Sequence, residues 1–215
     1  MKSESFVSVV IVIPDHLNYI YASLSKLASL LDTLYSDYEL VVIAPGLDST
    51  SAQVEDRVLK DIPCVRIIQL STPVFHDVAL AAGLESAIGD FVVLWNPLAD
   101  PVEVVPQSVN KCREGADVVI GVSNSVRSLR YRILRRLMNV ALRTIDYEIP
   151  SNSTGLRCLS RRAVNAVTRI GRFHHQFYLR IHKTGYPAEA LIYKPLKQSE
   201  GAGVVTSLHR LMHLV

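Results

Sequence analysis

The chain has 215 residues, a formal charge of +3 and 49% apolar residues, with ten glycines and ten prolines. That length suits one domain with a sizeable core, and the composition excludes a low-complexity or disordered chain. So small a positive excess does not by itself imply a nucleic-acid partner.

Residues 7–13 form a near-continuous β-branched run closed by Pro14, which predicts a strand buried on both faces of a parallel sheet. Residues 19–35 place Ile20, Leu24, Leu27, Leu31 and Leu34 on one helical face. A second buried strand is expected over 38–44, ended by Pro45 and Gly46, then a polar helix over 51–60 and a third strand over 65–70. A small-residue helix over 79–87 ends at Gly89, strands follow at 91–95 and 117–122, and a helix lies between them at 102–114. The second half is less regular: a basic helix, a Ser/Asn-rich break at 150–155, a helix over 160–170, a strand near 188–193 and a mixed tail. Strands alternating with helices predict βαβ units in one mostly parallel, doubly wound sheet with helices on both faces. Ligands of such sheets lie beyond the carboxyl ends of the strands, so the residues after Ile13, Ala44, Leu70 and Trp95 are the ones to inspect.

Cys64, Cys112 and Cys158 are widely spaced and odd in number, which predicts reduced thiols rather than a disulfide framework or a zinc site. The first six residues show no signal-peptide pattern, and the run over 7–13 is far too short to span a bilayer. The expectation is a cytoplasmic location, with peripheral attachment to the inner face of the membrane left open, as are membrane spans beyond Val215.

The segments Ala79–Leu84 and Ala87–Leu94, with Gly89-Asp90 closing a helix before a strand, are similar to family 2 glycosyltransferases of the GT-A fold. So are Asp100-Pro101-Val102-Glu103, the stretch 114–121, Ile149-Pro150, Leu156-Arg157 and Ser160-Arg161, in the order found in the dolichol-phosphate and polyprenyl-phosphate sugar synthases. The resemblance covers nearly the whole chain. It implies a single GT-A-like domain over 1–215, with a nucleotide-binding half over 1–122 and an acceptor- or membrane-facing half over 123–215. It also implies a Rossmann-like mostly parallel sheet with a C-terminal amphipathic helical region.

Carried over position by position, the resemblance makes Pro14 and His16 part of the loop that cups the nucleotide base. After the second strand the family's acidic pair is replaced by Ala44-Pro45. Asp48 is the next carboxylate and is open to a turn role or a nucleotide-binding one. The family's Asp-x-Asp motif chelates a divalent ion that bridges the donor phosphates, because Mg²⁺ and Mn²⁺ require hard anionic oxygens. Here its two acidic positions are Trp95 and Pro97, flanking the neutral Asn96, which is itself a nucleotide-binding candidate. Trp95 is open to packing in the pocket floor or stacking a base. Asp100 is open to two roles, a helix N-cap before Pro101 or a lone shifted metal ligand. No metal is expected unless the motif has shifted to Asp100. The family's acceptor-side Gly-Asp aligns with Thr154-Gly155, and a tail arginine aligns with Glu200, although Lys194 and Lys197 offer cations. Arg157 is retained, either to bind a phosphate or to form a structural ion pair.

Arg127, Arg130, Arg132, Arg135 and Arg136 alternate with Leu129, Ile133, Leu134, Leu137 and Met138, a basic amphipathic pattern. Three readings are open: an anionic membrane surface, a solvated helix packed on the domain, or a polyanion or protein partner. Aromatics are not interleaved as a stacking platform, so nucleic acid is not expected. His174, His175, His182, His209 and His213 show no ligand signature. Two functions therefore remain in view. One is an inverting transferase that moves sugar from a nucleotide sugar to a lipid phosphate or glycan. The other is a GT-A domain with lost or weak metal-dependent catalysis that binds a nucleotide sugar, a membrane, a second copy or a partner transferase.

Overall fold

The computed structural model describes residues 2–13, 21–45, 52–72, 74–124, 152–170 and 177–196. In chain order these hold β1 (Val7–Val12), α1 (Tyr21–Leu34), β2 (Tyr38–Pro45), α2 (Ala52–Asp61), β3 (Val65–Leu70) and α3 (His76–Ser86). Then come β4 (Phe91–Leu94), α4 (Val104–Arg113), β5 (Val118–Ser123), β6 (Ser153–Ser160), α5 (Arg161–Thr168), α6 (Phe177–Lys183) and β7 (Ala188–Tyr193). All seven strands join one sheet in the order β3-β2-β1-β4-β6-β5-β7. The five strands expected from β-branched runs are present, and four of the six pairings are parallel. The two antiparallel pairings both belong to β6.

β6 is the element that sequence patterning missed. Patterning places 153–155 in the Ser/Asn-rich break and assigns no element to 156–159, because two serines, a glycine and an arginine carry little strand signal. The strand is held instead by ladders on both sides, to β4 and to β5. β6 thus lies between β4 and β5 in the sheet.

Both faces of the sheet are buried, as continuous apolar strands require. Val7, Val9 and Ile11 pack with Leu24, Leu27 and Leu31 of α1 and with Val105 and Val109 of α4. Val10, Val41, Ile43, Val92 and Leu94 pack on the opposite face with Leu80 and Leu84 of α3, Val164 of α5 and Phe177 of α6. Helix α3 lies close to the sheet because it is built from small residues. A Cβ on Gly83 would collide with Val10 and crowd Ile43 at 3.2 Å.

At the amino ends of the strands a buried carboxylate ties the layers together. Glu39 accepts from the Ser8 hydroxyl at 2.6 Å, the Ile88 amide at 2.9 Å and Arg66 at 3.0 Å. Arg66 also donates to the Ser86 carbonyl at 2.6 Å, and the Gly89 amide donates to Ser8 Oγ at 2.8 Å. Asp90 accepts from the Phe6 amide at 2.9 Å. Arg161 reaches back from α5 to the Ala87 carbonyl at 3.1 Å and to the Gly89 carbonyl. Ser160 caps α5 by accepting from the Ala163 amide at 3.3 Å and donates to buried Asp117 at 2.6 Å. Arg162 donates to the same carboxylate and holds Asp117 below the usual carboxylate range. Gly89-Asp90 and Ser160-Arg161, the motifs that carry the family resemblance, are thus fasteners of the fold.

A side chain at Gly89 would put its Cβ 2.7 Å from both the Phe6 carbonyl and the Ser8 amide, backbone atoms that cannot swing aside. Gly89→Ala is expected to destabilise the domain by about 1–3 kcal/mol, the usual cost of overpacking. A fall in the urea midpoint at unchanged slope checks this; an unchanged midpoint would contradict the close packing described.

Candidate active site at the carboxyl rim of the sheet

Strands β1, β2, β4, β5 and β7 present their carboxyl ends at one rim, whereas antiparallel β6 presents its start there. That reversal brings Thr154, the second residue of β6, beside Tyr193, the last residue of β7, and beside the turn that follows β4. Gly121 on β5 makes the approach sterically feasible: a Cβ there would meet Thr154 Oγ1 at 2.5 Å and the Tyr193 ring at 3.0 Å.

Asp100 is at the centre of this cluster and only 1% exposed. One carboxylate oxygen accepts from the Tyr193 phenol and the other from the Asn96 amide at 3.2 Å. The Thr154 hydroxyl lies 2.8 Å from the same phenol oxygen. Burial raises the Asp100 carboxyl above its ordinary range, opposed by the bonds from Tyr193 and Asn96 and by the nearby charge of Arg157. The Tyr193 phenol is pushed up by burial first and then by the Asp100 carboxylate. The N-cap role expected for Asp100 is not what the structure shows. Helix α4 starts at Val104 with Glu103 as its cap residue, and Asp100 closes the 96–100 turn instead.

Trp95 is 3% exposed, packs in the core on the α1 and α4 face, and donates its indole N–H to the Asp100 carbonyl at 3.1 Å. It lies in the floor, not on the rim. Asn96 is exposed, with its side-chain oxygen accepting from the Leu98 amide at 3.0 Å. Arg157 is buried; its Nη1 donates to the carbonyls of Thr154 at 2.8 Å and Leu156 at 2.7 Å. Its guanidinium lies 4.9 Å from the centre of the Tyr178 ring, a cation–π contact. Lys194 is exposed at the end of β7. Asn96, Asp100 and Arg157 are therefore brought to one rim. Pro14, His16, Asp48, Arg127, Arg130, Arg132, Arg135 and Arg136 lie outside the described residues, as do Lys197 and Glu200.

Among the described residues, the side chains at this rim do not fit a hard divalent cation. Trp95 and Pro97 offer no anionic oxygen, and both oxygens of Asp100 already hold hydrogen-bond donors. Among the described residues, no three His, Cys, Asp or Glu side chains are grouped to hold a metal. Sequence reasoning did not find Tyr193, because nothing in a tyrosine near the end of a strand signals a contact 93 residues away.

Removing only the phenol oxygen tests this cluster. Tyr193→Phe is expected to cost about 1–3 kcal/mol by leaving a buried acceptor without its donor. The bond favours the charged carboxylate, so its loss raises the Asp100 pKa further. The penalty should therefore be larger at pH 7 than at pH 4, where Asp100 takes up a proton. Urea titrations at both pH values check the sign; an equal penalty would place the hydroxyl's role elsewhere.

No family model matches the chain. It is 28% identical over 161 residues to an uncharacterized glycosyltransferase of Synechocystis, covering 73% of this chain and 49% of that protein. It is 28% identical over 165 residues to an undecaprenyl-phosphate 4-deoxy-4-formamido-L-arabinose transferase of Pseudomonas fluorescens, covering 75% and 48%. The chain thus spans about half the length of the curated relatives it matches. Among solved structures it is similar to glucosyl-3-phosphoglycerate synthase from Mycobacterium tuberculosis bound to phosphoglyceric acid. That match has a TM-score of 0.65 and 17% identity over 97% of this chain and 79% of that one. A Pyrobaculum calidifontis mannosyltransferase in complex with GDP-Man and Mn²⁺ gives a TM-score of 0.64 at 16% identity, over 97% of this chain and 62% of that one. In sequence the chain is similar to family 2-like glycosyltransferases, and its fold is the GT-A fold of its structural neighbours.

Proposed function

We propose that this domain serves a sugar-transfer pathway, for a polysaccharide, glycolipid or polyprenyl-phosphate sugar, as a nucleotide-sugar-binding unit with lost or weak metal-dependent catalysis. The observation that carries this reading is the engagement of Asp100. The carboxylate nearest the place of the family's metal motif is buried and bonded to Tyr193 and Asn96. A departing nucleoside diphosphate carries two to three negative charges, about as many as a divalent ion and a cationic side chain together neutralise. Losing one charge-stabilising group typically costs about 3–4 kcal/mol, or a few hundredfold in rate. The phosphates would meet Lys194, exposed at the end of β7, and the base would meet the loop after β1.

The test is calorimetry with UDP-, GDP- and dTDP-sugars, with and without Mn²⁺, beside a turnover assay. The expected outcome is nucleotide affinity that Mn²⁺ does not change and turnover at or near background. Mn²⁺-dependent turnover abolished by Asp100→Asn would reinstate an active inverting transferase with a shifted motif.

We further propose that the basic stretch 126–143 meets an anionic membrane surface and so faces a polyprenyl phosphate acceptor. Its interleaved arginines and leucines support this, as do relatives named for undecaprenyl-phosphate transfer. No helix among the described residues is long and apolar enough to cross a membrane, so attachment by this domain would be at the surface. Each arginine near such a surface contributes about 1 kcal/mol. Changing Arg132, Arg135 and Arg136 together to Glu should abolish pelleting with phosphatidylserine-rich vesicles at low salt. Unchanged pelleting, or none by the unaltered protein, would reject the proposal.

A further inference from the structure

Two of the three thiols meet in the core. Cys112 comes from the last turn of α4 and Cys158 from the middle of β6, and their sulfurs are 3.4 Å apart. Cys158 is fully buried and Cys112 is 6% exposed, whereas Cys64 is exposed and separate. The pair is 46 residues apart in sequence, so spacing alone gave no hint of it. The Cys158 side chain lies on the face of β6 that α4 covers, with Leu156 and Val105 in the same cluster. Sulfurs already in contact need to approach by little more than 1 Å to reach bonding distance, a change that side-chain rotation supplies.

We propose that Cys112 and Cys158 are an oxidisable dithiol that forms an internal disulfide fastening α4 to the strand that carries Thr154 and Arg157. With oxidised glutathione as oxidant the step is an exchange. One cysteine thiolate attacks the glutathione disulfide and expels one glutathione thiolate, and the second cysteine then displaces the other. One S–S bond forms in the protein, one is lost from the reagent, and the two thiol protons end on two reduced glutathiones. In the closed fold this step is slow, because burial holds the Cys158 thiol well above its ordinary range and so protonated. The bond is therefore made while the core is open, during folding or local unfolding, and is shielded from reductant once the core closes. It joins two elements of the same face without involving any group of the rim cluster, so it stands apart from the proposed sugar chemistry.

The experiment is refolding of the full chain, and of Cys64→Ser, in a mixture of oxidised and reduced glutathione, followed by intact mass, thiol alkylation and peptide mapping. The expected product is about 2 Da lighter than the reduced chain, has Cys112 linked to Cys158, and melts about 10 °C higher than the same chain with dithiothreitol. The mapping is done on both proteins, so a folding defect in the variant does not decide the result. Both thiols remaining alkylatable after oxidative refolding, linkage only through Cys64, or a cross-linked form that melts lower than the reduced one would each overturn the proposal.

Discussion

The rim cluster depends on the direction of one strand. β6 runs against both of its neighbours, so its beginning, not its end, arrives where the parallel strands finish. Were it parallel, Ser160 would stand at the rim and Thr154 at the opposite end of the sheet. Reversed, it delivers Thr154 to Tyr193 and Tyr193 to Asp100, across a glycine on β5 that leaves room for the ring. The same reversal brings Ser160, Arg161 and Arg162 to the amino ends of the strands, where they hold Asp117 and the turn before β4. One strand thus supplies an anchor at one end of the sheet and the floor of a site at the other.

Three buried carboxylates are engaged in ways that bear on function. Glu39, Asp100 and Asp117 are each nearly inaccessible, and each has donors on its oxygens. Burying a charge without partners is expensive, so a carboxylate in a core is nearly always spoken for by the fold. Glu39 and Asp117 are satisfied by donors that include an arginine. Asp100 has a phenol and a backbone amide, neutral donors that leave its pKa raised. A carboxylate in that condition suits a closed turn better than an open coordination site.

Much of the scaffold was legible. The β-branched runs of β1, β2, β3, β4 and β5 announce buried strands, and the spacing of Leu24, Leu27 and Leu31 announces the covered face of α1. Each of these signals is local, a period of two or of 3.6 over a few residues. β6 and α6 lacked such a signal. β6 mixes serine, glycine and arginine with its apolar residues, and α6 is short and aromatic. The absence of carboxylates at positions 95 and 97 was also legible, since it needs only residue identity.

What the sequence by itself determined is therefore the layered α/β scaffold, the family likeness and the identities of Trp95 and Pro97, where the resemblance expects acidic residues. What only the tertiary structure decided is who stands next to whom at long range. Tyr193 meets Asp100 from 93 residues away, Cys112 meets Cys158 from 46, and Glu39 meets the Ile88 amide from 49. Periodicity reports which face of an element is buried. It does not report strand order or direction, and here strand order and direction bring those side chains into contact.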